Sequence, residues 1–362
     1  MKTPMSRISR RISTTISNLL GLRQVGRGPV ALAVMLAAFV VRAASGDVIV
    51  PDMVEVGNPG NAAYTGNPLF PGPVGVGAVN HYYLIGRTEV TNTEYAAFLN
   101  AVGQQNANGV YNANMGISST GTFGGIVQSG TSGAFTYTVA SGFENKPVNW
   151  VTWFSAARYV NWLENGQPVD ATGAAVNTGA YNLGTATSGD IATRTPGSTW
   201  YLPSASEWFK AAFYNPDTAT YSTYGTGLNT ITSGTGGAAA DGVVYQVPSS
   251  GPQPVGSFPN ADSYYGIYDA SGNVREWTGK INPTAGGTNL QEAYIANGSY
   301  TGATDFSVSI DNGIYALGSN SSAGLGFRVA AVPEPSAMVL AAAGLAGVAG
   351  WKRLRRRVAT RR

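Results

Sequence analysis

Apolar positions recur at helical spacing in three short windows of this chain, and outside them they alternate briefly or lose all pattern. Tyr95, Phe98, Leu99 and Val102 share one face of a helix running to about Val102. Thr91 with Glu94 three residues on is a capping-box pair that would start it. Phe154, Ala157, Val160 and Leu163 predict a second helix over residues 153–165. Ser204 and Glu207 form another capping box, and a third helix is predicted over 205–214 with Trp208 and Ala212 turned inward. Strands are expected at 48–56 and 82–85, with strand-like pieces near 125–128 and 134–140. Stretches rich in Gly, Ser, Thr or Pro over 58–79, 103–143, 166–198 and 215–250 read as loops. Three helices among short strands and such loops make an α+β chain that is loop-rich.

The two ends follow different rules. Residues 1–28 are polar and basic, residues 29–41 are an apolar run of 13, and small residues follow. That order predicts a secretory signal peptide over 1–45, cleaved near Ala43 to Ser45. At the other end Val332-Pro333-Glu334-Pro335-Ser336 precedes an Ala/Gly-rich apolar run of fifteen, 337–351, and then Lys352-Arg353-Leu354-Arg355-Arg356-Arg357. The run is short for a membrane span, and the basic end would stay on the cytoplasmic side. The folded block is expected over 47–332, with 333–362 as a sorting or anchor segment.

Charge sharpens this division. The ends hold 14 of the 22 basic residues and one of the 19 acidic ones, leaving residues 43–332 with 8 against 18, about −10. The basic pI is therefore a property of the ends, and a nucleic-acid partner is excluded for the folded block. The chain has no cysteine, which removes disulfides, thiolate metal sites and cysteine catalysis. Its one histidine, His81, is expected to be a surface or hydrogen-bonded strand residue. Carboxylate pairs such as Glu89 with Glu94 or Asp305 with Asp311 offer acid/base chemistry in principle.

The densest punctuation lies at 256–277, GSFPNADSYYGIYDASGNVREW. Asp269 and Glu276 can offer carboxylates there, and a turn at Ser271-Gly272-Asn273 frees carbonyls between them. Hard cations take such mixed oxygen sets, so a structural calcium ion held by Asp269, Gly272, Val274 and Glu276 is an expectation. The alternative is that Asp269 caps a turn and Glu276 pairs with Arg275 or another cation. Loops this long are uncommon unless functional or pinned, and an ion would pin them.

GIYDASGNVREW (266–277) resembles the GLYDMxGNVWEW signature of the sulfatase-modifying-factor family, the formylglycine-generating enzymes and their relatives. YLIGRTEVTNTEYAAFLNAV (83–102), PVNWVTWFSAARYVNWL (147–163), YLPSASEWFKAAFY (201–214), NGSYTG (297–302) and GLGFRVA (324–330) resemble further family segments in the right order. Met53-Val54-Glu55-Val56 resembles the opening strand. The resemblance implies the loop-rich formylglycine-generating-enzyme fold, related to C-type lectin-like domains. In catalytic members two cysteines after the GGS motif bind copper and oxidise a substrate cysteine; those positions fall on Gly302 and Ser307, so no copper is expected. The iron-dependent branch of the family needs a histidine cluster that one histidine cannot supply.

The tail is similar to a PEP-CTERM sorting signal, which implies an exosortase-type processing enzyme as partner and at least transient membrane anchoring. The expectation is an exported, surface-associated, non-catalytic module that binds a glycan, peptide or envelope protein. Tyr264, Tyr265, Tyr294, Tyr300 and Tyr315 are its candidate contacts, each a core or rim residue otherwise. The alternative is a formylglycine-type oxidoreductase with non-standard residues.

Overall fold

A computed structural model describes residues 48–66, 75–236, 242–279 and 292–333. The expected leader and the tail from 334 onward lie outside the described residues. Among the described residues no helix is long and apolar enough to cross a membrane.

The helices are α1 (Asn92–Val102), α2 (Trp153–Glu164) and α3 (Ala205–Phe213). Both predicted capping boxes are made: Glu94 accepts from the Thr91 amide at 2.7 Å, and Glu207 from the Ser204 amide at 2.8 Å. A third box, Thr152 with Ser155, opens α2. The first described strands are β1 (Met53–Val56), β2 (Tyr83–Gly86), β3 (Ile126–Ser129), β4 (Thr136–Val139) and β5 (Trp200–Tyr201). Four two-residue strands follow, β6 (Tyr214–Asn215), β7 (Thr220–Tyr221), β8 (Thr232–Ser233) and β9 (Gly242–Val243). The last are β10 (Arg275–Trp277), β11 (Glu292–Ala296), β12 (Gly313–Leu317), β13 (Leu325–Phe327) and β14 (Ala330–Ala331). The strand expected at 48–56 begins only at Met53, because the Ile49 amide and carbonyl are taken by the Gln167 side chain at 2.9 and 2.6 Å.

Two four-stranded sheets organise the core, in the orders β1-β2-β14-β5 and β12-β11-β10-β13. In the second, β10 pairs antiparallel with β11 and parallel with β13. Side chains alternate across a pleated strand. The registers Trp277↔Ile295, Ile295↔Ile314 and Arg275↔Leu325 therefore set Arg275, Trp277, Ile295, Ile314 and Leu325 on one face. That face joins the apolar cluster built on α1 and α2, where Tyr95, Phe98, Tyr159 and Phe327 pack ring to ring. The opposite face carries Tyr294 and Ala296 into a second cluster with Trp208 and Phe209 of α3.

The long connections are pinned by side chains that reach their backbones. Asn161 on α2 donates to the carbonyls of Val176 and Tyr181 and accepts from the Tyr181 amide, all within 2.9 Å. Arg158 donates to the carbonyls of Gly184 and Ala186 at 3.0 and 2.8 Å. Both side chains are fully buried, so the loop over 166–198 is anchored from inside.

Candidate functional site

The calcium-candidate stretch meets a buried cluster of charged side chains. Gly272 has φ +93°, and a Cβ there would lie 2.4 Å from the Val244 carbonyl, so only glycine fits the turn. Three residues later the chain enters β10, and alternation sends Glu276 to the α3 side. There Arg328 closes on it with Nε and a terminal nitrogen at 2.6 Å each, and the Trp208 indole donates at 2.8 Å. Both ends of the pair have zero exposure. Arg328 donates its remaining hydrogens to the carbonyls of Gly86, Arg87 and Tyr268. Burial alone would lower its pKa, but Glu276 and the neighbouring Glu89 and Asp269 hold it above the usual arginine value. Of the two pairings weighed for Glu276, the cation is Arg328.

Asp269 adjoins this pair, one of its oxygens accepting from the Gly256 amide at 2.6 Å. Burial pushes its carboxyl up to about 6. Glu89 lies beside it, its protonated carboxyl placed to donate to Asp269, and among the described residues its two buried oxygens have no other hydrogen-bond partner. Burial first, and then the Asp269 charge, drive the Glu89 carboxyl well above its ordinary range. With Glu89 held in its neutral form, two carboxylates, Asp269 and Glu276, share the one guanidinium of Arg328, a surplus of negative charge that a hard cation would offset. The Gly272 carbonyl accepts only a long 3.4 Å bond from Asn297. Asp269 and the carbonyls of Gly272 and Val274 are oxygen donors of the type calcium takes, whereas the Glu276 oxygens are already engaged by Arg328 and Trp208. Among the described residues no three His, Cys, Asp or Glu side chains form a metal-holding group by themselves.

Gly302 and Ser307 are brought face to face. A Cβ built on Gly302 would lie 2.3 Å from Ser307 Oγ, which itself donates to the Thr304 carbonyl at 2.5 Å. The remaining candidates separate. Glu94 is spent on its helix cap, away from Glu89's neighbour Asp269. Asp305 and Asp311 each accept from a tyrosine, Tyr245 at 2.5 Å and Tyr64 at 2.7 Å. His81 precedes β2, exposed, with Nε2 2.9 Å from Glu207. Tyr294 and Tyr300 are core residues, whereas Tyr264 and Tyr315 are exposed and Tyr265 is half-buried.

A cleft of about 220 Å³ opens at the edge of the second sheet, on the face opposite Glu276. Its floor is Ile295, Ile314, Ala316 and Leu325, with Ile314 41% exposed. One wall is the turn of Asn320, Ser321 and Ser322, tied to the start of α2 by the bonds of the Trp150 and Trp153 amides to Ser322 and Gly318. Arg275 enters from β10, its Nε buried without a partner. Burial lowers its pKa below the usual arginine value. The Arg275 amide bonds the Gly324 carbonyl, and Gly324 abuts Ser299, so the cleft neighbours the segment carrying Gly302. Alternation was the signal available beforehand: consecutive Arg275 and Glu276 on one strand face opposite ways.

Comparison with known families matches residues 43–332 to a sulfatase-modifying factor enzyme 1-like domain and residues 331–357 to a PEP-CTERM protein-sorting motif. Among solved structures, Treponema denticola variable protein 1 is similar over 78% of this chain and 95% of its own, at 19% identity and TM-score 0.48. CarF is similar over 79% and 99%, at 21% identity and TM-score 0.48. PvdO from Pseudomonas aeruginosa is similar over 78% and 95%, at 18% identity and TM-score 0.48. No curated protein matches the sequence.

Proposed function

The chain belongs to the sulfatase-modifying factor enzyme 1-like family, and from that premise we propose that it is an exported member that binds rather than catalyses. Its PEP-CTERM motif indicates export and envelope association and implies processing by an exosortase-type system with membrane anchoring. The binding role is supported by one observation above all. Where the resemblance places two copper-binding thiols, Gly302 and Ser307 stand in mutual contact with no sulfur between them. A hydroxyl and a hydrogen cannot hold a soft metal. The fold is kept, with both sheets and all three helices of the described region formed, and the cleft beside that segment is open to a ligand.

A calcium staple at Asp269, Gly272, Val274 and Glu276 belongs to this reading. It would join turn to strand and offset the carboxylates of Asp269 and Glu276 that share Arg328. The binding role is tested by incubating the purified protein with copper and a cysteine peptide and following peptide mass. Unchanged mass is expected, and loss of sulfur with gain of an aldehyde refutes the reading.

A further inference from the structure

Seven lysines and arginines are described, and six of them are engaged. Arg87 pairs with Asp52, Lys146 lies over Phe143, Arg158 and Lys210 donate to carbonyls, Arg194 donates to Ser198, and Arg328 holds Glu276. The Arg275 side chain alone has no hydrogen-bond, ion-pair or ring partner among the described residues, although its Nε is buried. A half-buried guanidinium left unmatched inside a block of net charge about −10 is costly, and the strand pleat denies it Glu276. The five donors of a guanidinium form a planar fork suited to a carboxylate. Beneath it the cleft floor is aliphatic, with no aromatic ring on which a sugar could stack. Among the described residues the Asn320 and Ser322 side chains on the wall have no hydrogen-bond partner, and Ser321 Oγ accepts from Asn112 at 3.2 Å, which leaves its own proton to donate. At roughly 30 Å³ per water, 220 Å³ is room for about seven waters, or for a short branched carbon chain.

We propose that the cleft under Arg275 binds an aliphatic carboxylate, with the guanidinium on the acid and Ile295, Ile314 and Leu325 on the chain. This rests on the binding-module reading and names its ligand class. Two sources carry this chemistry, a free short branched acid and the C-terminal leucine of a peptide.

The test follows isoleucine δ1 methyl resonances of the full-length protein in micelles during titration with isocaproate, isocaproamide, a peptide ending in leucine with a free carboxylate, the same peptide amidated, and glucuronate. The expected result is saturable movement of the Ile314 methyl by one or both acids, with each active acid binding at least tenfold more tightly than its amide. Movement by the peptide acid alone assigns a chain end; movement by isocaproate alone assigns a small molecule. Arg275→Gln should weaken binding by at least tenfold, and Arg275→Lys should retain part of it. The acid-against-amide comparison needs no variant, so a misfolded mutant does not blunt the test. Equal binding of acid and amide, preference for glucuronate, or no saturable movement overturns the carboxylate inference and leaves the binding-module reading standing. Conversion of a cysteine peptide overturns that reading whatever the methyls do.

Discussion

Arg328 and Arg275 are attached to paired strands of one sheet, yet one is saturated and the other is alone. Arg328 directs every side-chain nitrogen at an oxygen, with a carboxylate held from two sides. Arg275 sits one residue from that same carboxylate and cannot reach it, because the pleat turns it toward the cleft. The difference teaches that burial of charge has two meanings. A buried cation whose bonds are complete is framework; one whose bonds are missing is an invitation to a ligand.

The strongest way to break this contrast is to cut the saturated pair. Glu276→Ala or Arg328→Ala should cost about 3–5 kcal/mol, since each strands a buried charge. Urea unfolding would show it, and a loss under about 1 kcal/mol would mean the pair is not framework. Next comes the surplus of negative charge beside Arg328. With calcium at about 100-fold over its Kd, the staple would contribute about 2.7 kcal/mol. Chelator should then lower the melting temperature of the native protein by several degrees and do nothing further to Asp269→Ala. Superimposable native curves with and without chelator remove the ion.

Glu207 sharpens the comparison at an intermediate point, a buried carboxylate completed by neutral groups and one histidine. Burial would raise its pKa, but hydrogen bonds from His81, Ser204 and Tyr201 outweigh this and hold it below the ordinary value. A carboxyl lowered on folding adds stability above its unfolded pKa of about 4.3 and loses it as pH falls further. Melting temperature should therefore drop on acidification through that window, and less steeply in His81→Ala. An identical slope in the variant would discard His81 as a contributor. The smallest effect is expected at the lone arginine. Arg275→Gln should leave stability within about 0.5 kcal/mol of native, and a larger loss in urea unfolding would make Arg275 structural.

The helices were legible because their start signals are local: Thr91 with Glu94 and Ser204 with Glu207 close reciprocal bonds within one turn. The Thr152–Ser155 box was not recognised, since serine at its last position departs from the usual pattern. What pins the loops was hidden, because Asn161 and Arg158 act on backbone 15 to 28 residues away. Part of the pinning that such loops require comes from these side chains rather than from an ion. At the site, Asp269 and Glu276 stood out as oxygen donors, but Arg328 lies 52 residues beyond Glu276 and arrives only through sheet pairing. Tyr294 proved to be core because alternation aims it at Phe209, 5.7 Å between ring centres.

The contact between Gly302 and Ser307 limits which side chains the two positions can carry. A side chain at 302 and the hydroxyl at 307 compete for one space, with 2.3 Å between a Cβ and the oxygen. A lone side chain at 302 would displace the Ser307 hydroxyl from its bond to the Thr304 carbonyl, and a lone change at 307 would face a bare backbone. Placing side chains at both positions at once would therefore need the residue at 307 to turn away from 302.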